Sequence, residues 1–488
     1  MAIIHGFESR HSLCDDQGVM TDSLYWYDFE TTGTDPARDR AIQFAGVRTD
    51  LKLNTVSEPV NVFCYPGNDT VPDPEAILVT GIQFSELRQK GMNEAAFSHA
   101  IHQEFATPST CVVGFNNLRF DDEFIRNLFY RNFHDPYARE WQNENSRWDV
   151  IDMFRMAHAL RPDGFEWPKN EEGVTTFRLE KLTQANDIGH ESAHNAVSDV
   201  VATIEVTRKL RKAQPKLYDY LFSLRQKREV LNQLYPLGKN AIVHVSAMYP
   251  AQQACLALVL PLCSHPTNQN GVICYDLARD PRDLIDLNAG EIHRRVFSSS
   301  EELGDLSRIP LKTIHVNRSP AIAPLGTIKG HEDRLGIRLE ECLRHMKRLQ
   351  QASGVVEKLD EVFSTTSFKD SEDPDLMLYQ GGFFSTADKE IMDEVRSNTA
   401  ENLSAYGSSF QDERLPEMLF RYRARNFPDS LSAEEKTRWD RYRRKLFSDE
   451  KNPSTRLDTI AGLRETGRGA ACLDDLEEYL RDLLTGLT

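Results

Sequence analysis

The sequence predicts three successive regions: an α/β domain, a small β-barrel or sandwich, and a helical C-terminal domain. Strand-like and helix-like segments alternate from residue 24 to about 210, and β-rich runs broken by Pro, Asn and Gly fill about 240 to 325. Helical periodicity takes over after about 333. A chain of 488 residues exceeds one ordinary core, so two or three domains of roughly 100 to 200 residues are expected.

In the first region "LYWYDFE" and "CVVGFN" read as strands, while "DDEFIRNLFYRNF" and "AHNAVSDVVATIEVTRKL" carry apolar residues at helical spacing. In the last of these, Ala193, Val197, Val200, Val201 and Ile204 form the expected buried stripe. The basic, helix-like stretch 211–228 bridges to the next region, where "NAIVHVSAMY", "ACLALVLPL", "GVICYDLA" and "KTIHVNRSPAIAPL" supply the β-structure. Beyond it, Leu339, Cys342, Leu343, Met346 and Leu349 share one helix face. Segment 364–376, polar and containing Pro, reads as a linker. Ser432 and Glu435 form a capping-box pattern ahead of Trp439, Tyr442 and Leu446. In the tail Leu473, Leu476, Leu480 and Leu483 recur at helical spacing, which predicts a core-facing helix. The resulting boundaries are 1–22, a flexible leader; 23–210; 215–367; and 371–488.

Apolar residues make up 40% and charged residues 27%, a globular balance that excludes collagen-like, coiled-coil and wholly disordered chains. No apolar run approaches the ~18 residues of a membrane span, and the first 22 residues lack a signal-peptide core. Eight cysteines without C-x-x-C spacing suit reduced thiols in a cytoplasmic protein. The net charge of -17 opposes general phosphate-backbone binding, so a nucleic-acid site must be a local basic track.

The chemistry concentrates in three short segments. In "YWYDFETTG", Asp28 and Glu30 alternate with aromatics, so on a strand both carboxylates project to one side, roughly 6 to 7 Å apart. Asp121 and Asp122 open a helix just after an apolar strand, where open α/β sheets place sites, although an acid there also serves as an N-cap. In "AHNAVSD", His194 precedes Asp199 by five residues on the helix that carries the apolar stripe. Each segment alone is as well explained by structure as by function. Together they supply what divalent-metal phosphoester chemistry needs: oxygen ligands for hard cations and an imidazole that takes a proton from water near neutrality.

These motifs resemble the DEDDh exonuclease superfamily: "DFETTG" its first motif, "NNLRFDDEF" its second and "HNAVSD" its third. The runs "GFNNLRFDDEFIRNLFYRNFHDPY", "NSRWDVIDMFRMAHALRPDGFEWP", "FRLEKLTQAN" and "LFRYRARNFP" resemble the bacterial exodeoxyribonuclease I family more specifically, over about residues 24 to 450. The resemblance implies an RNase H-like exonuclease domain, an SH3-like β-barrel domain and an α-helical C-terminal domain. It implies processive 3′-5′ digestion of single-stranded DNA to 5′-mononucleotides by two-metal hydrolysis, in DNA repair and recombination. Mg²⁺ is the implied cofactor, two ions per site, with Mn²⁺ able to substitute.

Carried over to this sequence, Asp28, Glu30 and Asp199 hold metal, Asp121 completes the acids, His194 is the general base, and Asp122 is a helix cap. Glu30 and Arg178 contact the terminal nucleotide. Strand binding without sequence preference needs cations for phosphates and aromatic faces for bases. Arg126, Tyr137, Trp141 and Arg155 offer these and match DNA-contacting positions of the family. Lys227, Asn270, Lys312, Asn317, Tyr379 and Gln380 fall at aligned positions with weaker motifs; "LYQGGFF" carries one Gly more than the pattern. The family also binds the acidic tail of single-stranded-DNA-binding protein, for which Arg161, Lys239 and Arg348 are candidates, and the chain is expected to act as a monomer.

Two other functions fit parts of the pattern. An RNA-trimming or proofreading exonuclease shares the chemistry, but such relatives are little more than the first domain, whereas this chain has about 270 further residues. A non-catalytic strand-binding protein should lack one of the acids or the histidine, and all are present.

Overall fold

The computed structural model describes residues 22–190, 195–364, 371–449, 452–468 and 471–487. Residues 1–21 of the expected leader and 365–370 of the expected linker lie outside the described residues. Contacts divide the chain into two units that interleave in sequence. The first holds the described residues through Ser146, His190–Ile204 and those from 371 onward; the second holds Arg147–Gly189 and 205–364.

The first unit is built on a sheet in which β1 (Ser23–Thr31) runs antiparallel to β2 (Ala41–Asp50), and β2 antiparallel to β3 (Val60–Phe63). Helices α1 (Pro74–Thr80), α2 (Phe84–Lys90) and α3 (Glu94–Phe105) follow, before β4 (Thr110–Gly114) pairs in parallel with β1. The pleat sends alternate β1 side chains to opposite faces. Tyr25, Tyr27 and Phe29 accordingly share a core with Phe44, Phe97, Phe105, Ile125 and Phe129. Ile125 and Phe129 come from α4 (Asp121–Arg131). The expected strand "CVVGFN" stops at Gly114 because Asn116 takes a left-handed conformation (φ 67°) that starts a 3-10 turn over Asn117–Arg119.

The helical C-terminal region belongs to this same unit. Helix Arg414–Asn426 carries Arg421 and Arg425, both of which reach the buried carboxylate of Asp375, at 3.2 and 2.5 Å. Arg425 also pairs with buried Asp69 at 2.8 Å. The expected capping box forms: Glu435 N–H donates to Ser432 Oγ (3.2 Å) and Ser432 N–H to Glu435 Oε2 (2.9 Å). In helix Ala471–Thr485, Leu473, Leu476, Leu480 and Leu483 are buried in a cluster with Ile77, Phe84 and Leu87 of α1 and α2, the core-facing role expected of the tail.

The second unit contains most of β5 (Ser146–Asp149), then α5 (Ile151–Leu160) and α6 (Leu179–Ala185). Helix α7 (Ala196–Ala213) belongs to the first unit as far as Ile204. Its buried face begins with Ala196, Val200 and Ile204, but Val201 is 42% exposed, so that member of the expected stripe faces outward. The helical wheel places residue 201 about 100° from residue 200, beyond the edge of the buried face. Ala193 lies outside the described residues. After α8 (Pro215–Ser223) and α9 (Lys227–Leu234) comes a five-stranded antiparallel sheet. Its strands are β6 (Ile242–Val245), β7 (Leu256–Ser264), β8 (Gly271–Asp276), β9 (Leu311–His315) and β10 (Ala321–Pro324), in the order β10-β6-β7-β8-β9. In the helix Leu339–Gln351 that follows, Cys342, His345 and Leu349 are buried. No helix among the described residues is long and apolar enough to cross a membrane.

Candidate active site

Asp28 and Glu30 lie on β1 opposite Ala45 and Gln43, immediately before a register shift between Glu30 and Thr31. A bulge bends and twists a strand locally, and here it follows the second acid directly. Helix α7 brings Asp199 to the pair: one carboxylate oxygen from each of Asp28, Glu30 and Asp199 lies within 4.8 Å of the others. Glu30 is buried and its two partners are half-buried. Asp121, at the start of α4, is also buried.

Four acids this close repel one another. Loss of water, then the charges of Asp121, Glu30 and Asp199, hold the Asp28 carboxyl well above the usual carboxylate range. Burial, then Asp199 and Asp121, push Glu30 up to about 9. Such a cluster is stable as carboxylates only with a cation to balance it. Its donors are all oxygen, which suits a hard divalent ion such as Mg²⁺ better than a soft one.

His194 lies outside the described residues. Among the described residues, the imidazole found at the acids is His190, whose Nε2 is 2.5 Å from Asp199 Oδ1. Sequence reading missed it, and the only available signal was its place in "HESAH", four residues before His194.

Asp122 is not the expected helix cap. Phe120 occupies the N-cap of α4 with no side-chain bond to the first turn. The Asp122 side chain turns into the core instead, where Tyr27 and Arg139 both donate to its Oδ1, at 2.6 and 2.7 Å.

Of the expected strand-binding residues, several form one group in the first unit. Arg126 is buried, paired with Glu123 and Glu140 at 2.8 Å each, bonded to the Tyr379 hydroxyl at 3.1 Å, and set over the Tyr137 ring. Those two acids hold its charge in place, a role the sequence did not disclose. Trp141 and Tyr379 are exposed, at 67% and 63%. Gln380 Oε1 accepts from the Ser371 N–H (2.8 Å), and its carbonyl accepts from Arg414 (2.7 Å). Gly381 and Gly382 both take left-handed conformations, with φ 72° and 74°. A Cβ on Gly381 would meet the Arg414 guanidinium at 2.9 Å, so the double glycine of "LYQGGFF" is required by this turn.

The remaining expected contacts lie in the second unit. Arg178 is exposed at the N-cap of α6. Arg155 is paired with Asp152 (2.5 Å) and set over Phe177. Lys227 donates to Asn270 Oδ1 (2.7 Å), and Lys312 to Ser246 Oγ (2.8 Å) with its ammonium over Tyr249. Asn317 is exposed, and its carbonyl accepts from Arg147 (3.2 Å).

Comparison with known proteins covers the same three regions. Family models match in succession: Exonuclease over residues 25–207, Exonuclease I SH3-like domain over 225–365, and Exonuclease I C-terminal domain over 372–483. Exodeoxyribonuclease I of Escherichia coli (strain K12) is 43% identical over 437 residues, 89% of this chain and 92% of that protein. A moderately thermophilic exonuclease I from Methylocaldum szegediense is 46% identical, with a TM-score of 0.90 over 95% of this chain and all (100%) of that one. The zinc-ion-bound form of the E. coli ExoI–ssDNA complex is 40% identical, with a TM-score of 0.90 over 96% of this chain and 99% of that one.

Proposed function

The chain belongs to the exodeoxyribonuclease I family, and from that premise we propose that it removes 5′-mononucleotides processively from the 3′ end of single-stranded DNA, in DNA repair and recombination. The observation that carries this reading is the convergence of Asp28, Glu30 and Asp199 within 4.8 Å.

In this reading Asp28, Glu30 and Asp199 hold the metal and Asp121 completes the acidic set. Mg²⁺ is the proposed ion, two per site, and Mn²⁺ can replace it. Bound there, Mg²⁺ would supply Lewis acidity to activate the attacking water and to balance charge on the leaving oxygen. His194 takes the proton from that water. His190, with its Nε2 2.5 Å from Asp199 Oδ1, steadies that carboxylate. Glu30 and Arg178 orient the terminal nucleotide.

Trp141 and Tyr379 are proposed to stack bases, with Tyr137 beside them, and Arg126 to meet phosphate while its two acids fix its position. Arg155, Lys227, Asn270, Lys312, Asn317 and Gln380 extend the track. The domains are proposed to be 23–210, 215–367 and 371–488, in a cytoplasmic monomer. The partner is the acidic tail of single-stranded-DNA-binding protein, taken up by basic residues such as Arg161, Lys239 and Arg348.

Incubating a 5′-labelled single-stranded oligonucleotide with the protein in Mg²⁺ or in EDTA tests the reading. A ladder shrinking from the 3′ end in Mg²⁺ and absent in EDTA is expected. Shortening that persists in EDTA, or that releases the 5′ label first, contradicts it.

A further inference from the structure

Behind the acids, on the opposite face of β1, lies a polar group in an otherwise aromatic core. The Tyr27 hydroxyl donates to Asp122 Oδ1 (2.6 Å) and accepts from Asn117 Nδ2 (3.2 Å). Arg139 Nη2 donates to the same Asp122 oxygen (2.7 Å), and its guanidinium lies 5.3 Å from the Phe105 ring centre. Tyr27, Asn117, Asp122 and Arg139 are all buried. Gly114 permits the arrangement, because a Cβ there would meet the Asn117 side chain at 2.7 Å.

Stability alone explains this group poorly. Taking two charges out of water costs more than a buried pair usually returns, and an apolar replacement of equal size is often as stable. The bonding is also incomplete: Arg139 Nε and Nη1 and Asn117 Oδ1 have no protein partner among the described residues. Ile125, Leu128 and Phe129 already dock α4 on the sheet.

Its connections suggest a different purpose. Tyr27 precedes Asp28 on β1, and Asp122 follows Asp121 in the first turn of α4. The hydroxyl–carboxylate bond therefore joins the two backbones one residue away from each of two acids of the site. Arg139 balances the charge of Asp122, so that carboxylate adds little to the repulsion among Asp28, Glu30, Asp121 and Asp199.

We infer that Tyr27, Asp122 and Arg139 are positioning residues that fix the spacing between Asp28 and Asp121 and thereby set the affinity of the site for divalent metal. The inference rests on the metal-site reading above. Groups behind a metal's ligands orient them, and losing one typically costs about 10- to 100-fold in metal affinity or activity.

The test compares the full-length protein with Tyr27→Phe and Asp122→Asn. Mn²⁺ binding is followed by electron paramagnetic resonance, single-turnover cleavage is measured across a Mg²⁺ series, and strand affinity is measured in EDTA. Each variant is expected to bind Mn²⁺ about 10-fold more weakly. Its half-saturating Mg²⁺ should rise in parallel, its rate should recover at high Mg²⁺, and its strand affinity in EDTA should match the parent's. A folded variant that binds Mn²⁺ like the parent overturns the inference, even if its rate falls. If Asp122→Asn does not fold, Tyr27→Phe, which removes a single oxygen, decides alone. Asp28→Asn is the control: if it binds Mn²⁺ as tightly as the parent, the metal-site reading itself fails.

Discussion

Glu30 shows how one buried side chain can serve function against stability. Its folded-state pKa of about 9 exceeds the ordinary 4.5, so the folded protein binds this proton more tightly than the unfolded chain does. The sign follows from linkage: the contribution is complete below about 4.5 and is lost as pH rises towards about 9. Metal-free protein is therefore expected to lose thermal stability across that window, and Glu30→Gln to lose less. A divalent cation should flatten the dependence by balancing the carboxylates. Melting curves between pH 5 and 9, in EDTA and in Ca²⁺, check this; equal slopes for parent and Glu30→Gln would remove Glu30 as the cause. At this scale the sequence was legible where chemistry follows local periodicity, as for Asp28 and Glu30 on alternate positions of one strand. It was silent on Asp122, whose partners Tyr27 and Arg139 are 95 and 17 residues away. N-cap propensity described its position in the chain and tertiary bonding took its side chain.

Strands and helices carry these residues to fixed places, and several elements are also tied by buried charges. Asp375 accepts from Arg421 and Arg425, whose side chains are 8% and 3% exposed. The two guanidinium groups hold its carboxyl far below the usual carboxylate range. Asp375→Ala would leave Arg425 with Asp69 and Arg421 with Asp373 and Glu417, and the loss of the shared acceptor should cost about 1 to 3 kcal/mol in denaturant unfolding. A loss under 1 kcal/mol would mean that water and the remaining carboxylates satisfy both guanidinium groups. Trp141 is the converse, a large exposed side chain with little structural use. Trp141→Ala should weaken strand binding by about 1 to 3 kcal/mol if it stacks a base, with the melting temperature unchanged; anisotropy with a labelled dT oligonucleotide measures it. The strands around Asp28 and the stripes of the last helix could be read from periodicity. The outward turn of Val201 and the early end of β4 could not, since one depends on the angular limit of a buried face and the other on a single left-handed residue.

Across the whole molecule, linear order proved a weaker guide than composition. Three consecutive regions were legible, and the family models fall on them, but the contacts group the last region with the first. The reason is long-range packing: Leu473 to Leu483 cover Ile77, Phe84 and Leu87, some 390 residues earlier in the chain. Helical spacing announces a buried face without naming what buries it. The proposed function assigns the metal that drives cleavage to the carboxylates of this composite unit, and most of the strand binding to residues outside that cluster. Its most direct test is Asp28→Asn, assayed for single-turnover cleavage of a 5′-labelled dT oligonucleotide in Mg²⁺ and for binding of the same strand in Ca²⁺. Cleavage is expected to fall nearly to nothing, with binding close to the parent's. Cleavage near the parent's rate, or cleavage and binding lost together, would contradict the proposed function.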